Sequence, residues 1–266
     1  MIFAGIDIGS LTAKAVLLRH GKVIASHFEP VKATSLASAD HVMGRVLEQA
    51  GLRIGEIQLT CSTGYGRLEI PFADCNRSEV SCHGLGTFFS NKSVRTIIDI
   101  GGQDCKVVVI DSHGMVEDFV MNDKCAAGTG RSLEILARTL GVELADLGRF
   151  ALRSHRPLPV SNKCSIFMEL DVMQLLYQGK RRENIAHGIT VSIARRIASL
   201  TGKVTLQKGI CISGGVSKNA AVVRDIEQAL GVTFTPLAHD PQLMGALGAA
   251  CFAEKEYRRR MEGGRS

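Results

Sequence analysis

The chain has 266 residues, of which 45% are hydrophobic, so it can form one large domain or two modest ones with real cores. Its net charge is only +6, and its basic residues are not interleaved with aromatic ones, so nucleic-acid binding is not expected. No apolar run approaches the roughly 18 residues of a membrane helix, and the N-terminus does not resemble a signal peptide. We therefore expect a cytoplasmic protein that does not enter a membrane.

The order of apolar and turn-forming residues predicts alternating strands and helices. Residues 1–28 predict strand, turn, strand, turn, strand, and residues 94–121 predict the same opening again. Short strands are predicted at 57–61 and 208–213, and the stretch 75–82 is predicted to be rich in loops. Apolar residues at helical spacing predict the helices 39–50, 130–140, 165–178, 185–200, 218–229 and 241–257. This alternation indicates an α/β fold.

One sequence pattern occurs twice, 92 residues apart from Asp7 to Asp99. The copies are Asp7-Ile8-Gly9-Ser10-Leu11-Thr12-Ala13-Lys14 and Asp99-Ile100-Gly101-Gly102-Gln103-Asp104-Cys105-Lys106. Each follows one strand-like run and enters another. Glycine at such a turn permits positive φ and leaves backbone N–H groups free to surround an anion such as phosphate. Either copy alone could be an ordinary hairpin turn, but the matched pair favours two loops that enclose a polyphosphate and its Mg²⁺.

A third glycine-rich turn, Gly214-Gly215, follows the predicted strand 208–213 and precedes a helix. A strand, a double glycine and a helix start form a suitable place for a nucleoside to approach the backbone. The chain has neither a Walker A loop nor a Rossmann fingerprint. The order of two phosphate turns and one nucleoside turn resembles the actin, hexokinase and Hsp70 ATPase superfamily. The predicted fold is therefore a duplicated actin/Hsp70-like (ribonuclease H-like) ATPase fold, with two subdomains around a nucleotide cleft.

Two of the eight cysteines, Cys125 and Cys164, precede predicted helices, and a lysine comes before each. A helix N-terminus and a neighbouring cation both stabilise a thiolate or a negatively charged cluster. Two such cysteines make half of a four-cysteine site, and a twofold dimer would supply the other half. Alternatively, both are small buried residues. Cys61, Cys105, Cys211 and Cys251 stand among apolar residues of predicted strands or helices and are expected to be buried thiols, whereas Cys75 and Cys82 lie in the loop-rich stretch. No C-x-x-C pair is present, so a self-contained ferredoxin or zinc-ribbon site is not expected.

A family resemblance extends over about residues 3–253. The chain resembles the activator ATPases of 2-hydroxyacyl-CoA dehydratases and the related ATPase subunits of benzoyl-CoA reductase. The stretches that carry the resemblance are Gly5-Ile6-Asp7-Ile8-Gly9-Ser10, Thr63-Gly64-Tyr65-Gly66-Arg67, Glu79-Val80-Ser81-Cys82-His83, Asp99-Ile100-Gly101-Gly102-Gln103-Asp104, Asn122-Asp123-Lys124-Cys125-Ala126-Ala127-Gly128-Thr129-Gly130, Gly214-Gly215-Val216, Pro241-Gln242 and Gly245-Ala246-Leu247-Gly248-Ala249-Ala250. Two departures from the family pattern stand out. Ser132 replaces an expected aromatic residue, and residues 168–170 are bulkier than usual.

The resemblance implies a homodimer that holds one [4Fe–4S] cluster between its subunits through Cys125 and Cys164 of each. It also implies that ATP hydrolysis opens the dimer. One low-potential electron then passes to a separate iron–sulfur dehydratase or reductase that acts on an acyl-CoA. An upstream donor such as ferredoxin or flavodoxin would supply the electron. The neighbouring possibility is an ATPase subunit of a benzoyl-CoA-type reductase or of another double-cluster reductase.

The expected ATP site combines the repeated loops with the third turn. Backbone N–H groups of Ser10, Leu11, Thr12 and Ala13, and of Gly101, Gly102 and Gln103, would hold phosphates. Lys14 would neutralise phosphate charge, and Asp7 and Asp99 would position Mg²⁺ through waters. Gln103 would orient the attacking water. Gly214 and Gly215 would approach the nucleoside.

The expected organisation is subdomain I at 1–94, subdomain II at 95–239, a C-terminal helix at about 240–258 that packs back on subdomain I, and a basic tail at 259–266. Two other functions fit the ATPase pattern. A small-molecule kinase of the same superfamily would be colourless, and a non-catalytic nucleotide-regulated partner would bind ATP without turnover.

Overall fold

A computed structural model describes residues 1–122 and 126–263 of the chain. These residues form two compact units. The first comprises Met1–Arg95, Ile110–Glu117 and the described chain from Pro236 onward. The second comprises the described residues of Thr96–Val109 and Asp118–Thr235. Within the described ranges, no helix is both long enough and apolar enough to cross a membrane.

The elements alternate between strands and helices, as the sequence predicts. The strands are β1 Ile2–Ile8, β2 Thr12–Arg19, β3 Lys22–Pro30, β4 Leu59–Gly64, β5 Cys75–Asn76, β6 Thr96–Ile100, β7 Cys105–Ile110, β8 Val116–Asn122 and β9 Ile210–Ser213. The helices are α1 Ser35–Ala50, α2 Glu79–Ser90, α3 Gly130–Leu140, α4 Leu144–Leu152, α5 Ser165–Tyr177, α6 Arg182–Thr201, α7 Ala220–Leu230 and α8 Met244–Gly263.

The first unit is built on a sheet with the strand order β3-β2-β1-β4-β5, in which β1 is antiparallel to β2 and parallel to β4. Strand β1 is buried along its whole length. Its even-numbered residues pack with α1, whereas Phe3 packs with residues of α2 and α8. Successive strand residues point to opposite faces, so a strand covered on both sides is a continuous apolar run. Asp7 shares the face of Phe3.

The second unit repeats this arrangement with the strand order β8-β7-β6-β9. Strand β6 is antiparallel to β7 and parallel to β9, as β1 is to β2 and β4. Residues Ile98, Ile100 and Val107 join a buried apolar core with side chains from α3 to α7. Asp99 lies between two of these core residues in β6 and therefore points to the opposite face. The sequence repeat thus corresponds to a structural repeat.

Helices α2 and α4 are not predicted from the sequence pattern, and the loop prediction for 75–82 is wrong from Glu79 onward. Helix α2 contains Gly84, Gly86 and Thr87, which are poor helix formers. It forms because Ser78 caps its N-terminus by accepting a hydrogen bond from the N–H of Ser81, and because it is buried against α8. Tertiary packing, which the local pattern does not reveal, therefore stabilises this helix.

Candidate functional site

The first repeated loop, residues 9–11, joins β1 to β2 in the first unit. The N–H of Gly9 donates to the Thr12 carbonyl at 3.0 Å, which closes a tight turn. Ala13 is already paired with Ile8 across the two strands. The buried Asp7 carboxylate lies opposite Lys14, with Oδ2 3.1 Å from Lys14 Nζ. The cation predicted to meet phosphate therefore also neutralises the strand-end acid.

The other carboxylate oxygen of Asp7 is suited to interact with a cation. Asp7 Oδ1 is buried and has no hydrogen-bond partner among the described residues. Such an oxygen is costly in free energy unless it meets a cation or a water bound to one. A Cβ atom at Gly245 would lie 2.6 Å from Asp7 Oδ2 and 3.1 Å from His83 Nε2, so these side chains meet beside the start of α8. The donor set around Asp7 fits a hydrated Mg²⁺.

His83 is a residue of this site that is not predicted from the sequence pattern. His83 is buried on α2, and its Nε2 lies 3.9 Å from Oε1 of Glu79, one helical turn earlier. The available signal was the i, i+4 spacing of these two polar residues in an otherwise small and apolar segment. It could be used only once Glu79–Ser90 was known to be helical.

The second repeated loop, residues 101–104, joins β6 to β7, and the lysine that follows it is more deeply buried than Lys14. Lys106 has no exposed side-chain surface, and its Nζ donates to Asp99 Oδ2 at 2.9 Å and to Asp104 Oδ1 at 3.0 Å. Ser213 Oγ donates to Asp99 Oδ1 at 2.7 Å. Both oxygens of Asp99 thus accept hydrogen bonds from protein groups, unlike those of Asp7. The two repeated aspartates are therefore not equivalent.

Each repeated aspartate has a glycine of positive φ beside it on the neighbouring parallel strand. Gly64 ends β4 with φ 84°, and a Cβ atom there would lie 2.5 Å from Asp7 Oδ1. Gly214 follows β9 with φ 83°, and a Cβ atom there would lie 3.1 Å from Asp99 Oδ1 and 2.3 Å from the carbonyl of Ile100. Any other residue would be strained and would collide with its neighbour. This pairing brings the predicted Gly214 turn to the second loop.

The second loop is hydrogen-bonded to the start of α3. The N–H of Gly130 donates to the Gly101 carbonyl at 2.9 Å, and the N–H of Arg131 donates to the Gly102 carbonyl at 2.8 Å. Gln103, between these glycines and Asp104, is exposed. The first N–H groups of α3 are therefore occupied by the loop.

We expect Lys106→Met to destabilise the protein by about 3 kcal/mol, because it leaves two buried carboxylates without their cation. Urea unfolding measures the change in the free energy of unfolding. The control is Arg45→Met, which breaks an exposed ion pair with Glu48 and should cost no more than about 0.5 kcal/mol. Equal losses for both variants would contradict the neutralising role of Lys106.

The structure describes Cys164 but not Cys125, which lies outside the described residues. Cys164 is partly exposed and is the N-cap residue of α5, immediately before its first residue, Ser165. Among the described residues no side chain caps α5, and the first turn of this helix contains no acidic residue. The carbonyl of Cys164 accepts the N–H of Met168 at 3.0 Å, so the thiol lies beside the open N-terminal turn. A partly exposed thiol at an uncapped helix start fits a ligand of an anionic cluster.

Arg196 of α6 contacts the segments next to both predicted cluster ligands, Cys125 and Cys164. This arginine is not predicted from the sequence pattern. Its Nη1 donates to the carbonyls of Asn162 and Lys163 at 3.0 and 3.3 Å, just before Cys164. A Cβ atom at Gly128 would lie 3.0 Å from Arg196 Cδ. One side chain therefore touches both segments, although no local pattern in α6 marks it.

The remaining cysteines are mostly buried. Cys61 and Cys211 are fully buried in strands. Burial raises the pKa of Cys82, Cys105 and Cys251 to about 12, so these stay protonated thiols. The prediction that Cys61, Cys105, Cys211 and Cys251 lie in buried elements is confirmed. Cys75, on an edge strand, is partly exposed.

A model of the BadF/BadG/BcrA/BcrD ATPase family matches residues 4–253. The chain belongs to this family. It is 41% identical over 253 residues to the activator of lactoyl-CoA dehydratase of Anaerotignum propionicum, and the match covers 95% of this chain and 97% of the relative. It is 38% identical to the (R)-2-hydroxyglutaryl-CoA dehydratase activating ATPase of Acidaminococcus fermentans, over 95% of this chain and 96% of that protein.

The solved structures agree with the family. The activator of the 2-hydroxyisocaproyl-CoA dehydratase from Clostridium difficile, with bound ADPNP, matches with a TM-score of 0.93 and 37% identity. That match covers 99% of this chain and 98% of the other. The predicted actin/Hsp70-like ATPase fold and the predicted family are confirmed. The protein is an ATPase with an ATP-binding fold.

Both departures from the BadF/BadG/BcrA/BcrD pattern have structural explanations. Ser132 is buried; its hydroxyl accepts the Gly128 N–H and donates to the Thr129 carbonyl, each at 3.1 Å, which fixes the turn before α3. In the 168–170 segment, Met168 fills the core and Glu169 accepts a hydrogen bond from Thr139. Only Leu170 is exposed, with 52% of its surface accessible.

Proposed function

We propose that this ATPase is an activator that delivers one low-potential electron to a separate iron–sulfur dehydratase acting on an acyl-CoA. The support is the family assignment together with two relatives whose names describe dehydratase activators. An ATPase subunit of a benzoyl-CoA-type reductase, or of another double-cluster reductase, is the nearest variant, because the chain is also 28% identical to a benzoyl-CoA reductase subunit of Thauera aromatica. The upstream donor would be a ferredoxin or a flavodoxin.

In this proposal the two repeated loops bind ATP. N–H groups of Ser10 to Ala13 and of Gly101 to Gln103 hold the phosphates, and Lys14 adds positive charge. Asp7 and Asp99 hold Mg²⁺ through waters, Gly214 and Gly215 approach the nucleoside, and Gln103 orients the attacking water. Hydrolysis of this kind depends mainly on positioning and electrostatics, which rigid loops supply. Asp7 Oδ1, which has no hydrogen-bond partner among the described residues, supports the Mg²⁺ assignment.

Cys125 and Cys164 of two subunits would together hold one [4Fe–4S] cluster in a homodimer, and that cluster would supply the transferred electron. The support for Cys164 is its position at the uncapped start of α5 beside Lys163. The assignment of Cys125 as a cluster ligand rests on the family resemblance, since this residue lies outside the described residues. In a twofold dimer both cysteines recur on the partner, so four thiolates become available.

In this proposal the nucleotide state is coupled to the cysteines. One observation supports the coupling, the pair of hydrogen bonds between the second loop and α3. A change of nucleotide would shift the second loop, which contains Gly101 and Gly102. The carbonyls of these two glycines accept hydrogen bonds from the N–H groups of Gly130 and Arg131. The turn before α3 contacts Arg196, which holds the loop before Cys164. A shift at the loop would therefore reach both cysteine segments through direct contacts. Coupling requires ATP and ADP to favour different arrangements of these contacts.

A chelation experiment tests the function. Anaerobic protein is mixed with an iron chelator in the presence of an ATP analogue or of ADP, and bleaching is followed in the visible spectrum. We expect several-fold faster bleaching with the ATP analogue, because opening of the dimer exposes the cluster. A kinase or a non-catalytic nucleotide-binding protein would have no colour to bleach. Equal rates with both nucleotides bound would contradict the coupling.

Two variants of Gly130 make the test specific to the proposed path. Gly130→Pro removes the N–H that the Gly101 carbonyl accepts, and proline is tolerated at the first position of a helix. Thr129 already has φ −105° and ψ 174°, which suits a residue before proline. Gly130→Ala adds a Cβ atom but keeps the N–H. We expect alanine to preserve the nucleotide dependence of bleaching and proline to reduce it.

A further inference from the structure

Two cysteines of the first unit that the proposed function does not use lie on neighbouring strands. Cys61 of β4 and Cys75 of β5 are direct partners in the parallel pairing of these strands. Cys61 belongs to a buried apolar cluster and Cys75 packs against that cluster, so their side chains share one face of the sheet. Paired strands lie about 4.8 Å apart, within the range of about 4.4–6.8 Å that Cα atoms joined by a disulfide span.

The two thiols differ in chemical character. Cys61 is fully buried, and the interaction between the two thiols raises the pKa of Cys61 and lowers the pKa of Cys75. The guanidinium of Arg77 further lowers the pKa of Cys75. Cys75 is also partly exposed, so an oxidant can reach the thiol whose pKa is lowered. These are the properties of a thiol that oxidants attack first.

The surroundings leave Cys61 as the thiol that completes the reaction. Cys82 is the next cysteine in the same apolar cluster, but it belongs to α2, whereas Cys61 is the direct strand partner of Cys75. Strand β5 has two residues and forms the edge of the sheet. An edge strand this short can shift to accept the dihedral angle of a disulfide.

We propose that Cys61 and Cys75 form a reversible dithiol–disulfide pair, a redox modification site separate from the proposed cluster ligands. The oxidant is hydrogen peroxide. The Cys75 thiolate attacks one peroxide oxygen, the O–O bond breaks, and the products are a sulfenic acid and hydroxide. The Cys61 sulfur then attacks the Cys75 sulfur and loses its proton as water leaves. Two thiols are oxidised, and one peroxide is reduced to the level of water.

Trypsin digestion places the three neighbouring cysteines, Cys61, Cys75 and Cys82, in separate peptides. Cleavage after Arg53, Arg67 and Arg77 places Cys61 alone in residues 54–67, Cys75 alone in 68–77 and Cys82 in 78–92. Anaerobic protein is treated with hydrogen peroxide, its free thiols are alkylated, and the non-reduced digest is analysed by mass spectrometry. We expect a linked 54–67/68–77 pair, and a joint fall of at least about tenfold in the alkylation of both peptides that dithiothreitol reverses.

Variants distinguish this pair from its neighbours. Cys75→Ser should abolish the link, whereas Cys82→Ser should leave it unchanged. In Cys61→Ser, dimedone should trap a sulfenic acid on Cys75, because the thiol that resolves it is gone. The natural chain alone is decisive if a variant does not fold. A link between 54–67 and 78–92, oxidation of Cys75 while Cys61 stays alkylated, or no change in either peptide would overturn the proposal.

Discussion

Cys164→Ala is expected to abolish iron binding. Anaerobically purified natural protein should be brown and contain about four irons per dimer, whereas the variant should be colourless. The physical reason is symmetry. In a cluster shared by two identical subunits, one substitution removes a ligand from each, so half of the thiolate ligands are lost. Iron analysis and the visible spectrum measure the outcome, and Cys125→Ala should behave in the same way.

The control is Cys211→Ala, which replaces a thiol that is fully buried in β9. It should retain both iron and colour, because this cysteine is enclosed within a sheet and cannot reach a ligand position on a subunit surface. Iron that remains after both Cys125 and Cys164 are replaced would rule out their assignment as ligands. Loss of iron in the Cys211 variant would instead indicate general damage to the protein.

Gln103→Ala should reduce kcat for ATP hydrolysis by about 100-fold, which is typical when a group that orients or deprotonates the attacking nucleophile is removed. Nucleotide affinity should change by less than about threefold, because orienting water matters mainly in the transition state. Steady-state ATPase assays and calorimetric titration with an ATP analogue measure the two quantities. The exposure of Gln103 means that its removal opens no cavity in the protein.

Three further variants serve as comparisons for the Gln103→Ala result. Gln49→Ala, an exposed glutamine on α1, should leave both quantities unchanged. Asp7→Ala and Asp99→Ala should weaken Mg²⁺-dependent nucleotide binding as well as hydrolysis. Equal and small effects at Gln103, Asp7 and Asp99 would refute the assignment of the two loops to ATP binding. A large loss of affinity in Gln103→Ala would show that this residue binds ATP in the ground state.

The sequence by itself determined the duplicated hairpins, the positions of both loops, the family and most helices. These depend on local patterns: alternating strands, glycine turns after an aspartate, and apolar residues at helical spacing. Helix α3 begins and ends at the predicted residues because its apolar stripe and its final glycine are local signals. The repeat strengthened the prediction of phosphate-binding loops. Each turn alone is weak evidence, but two turns at matched positions support each other.

Tertiary structure alone decided which distant residues meet. Gly64 lies beside Asp7, and Gly214 beside Asp99, because each glycine ends a parallel strand whose register depends on the packing of a whole unit. The same reason applies to the contact of Cys61 with Cys75. A parallel pair is joined by a long connection, so no short-range spacing encodes its alignment. Local sequence thus specified the loops and strands, while packing specified their neighbours.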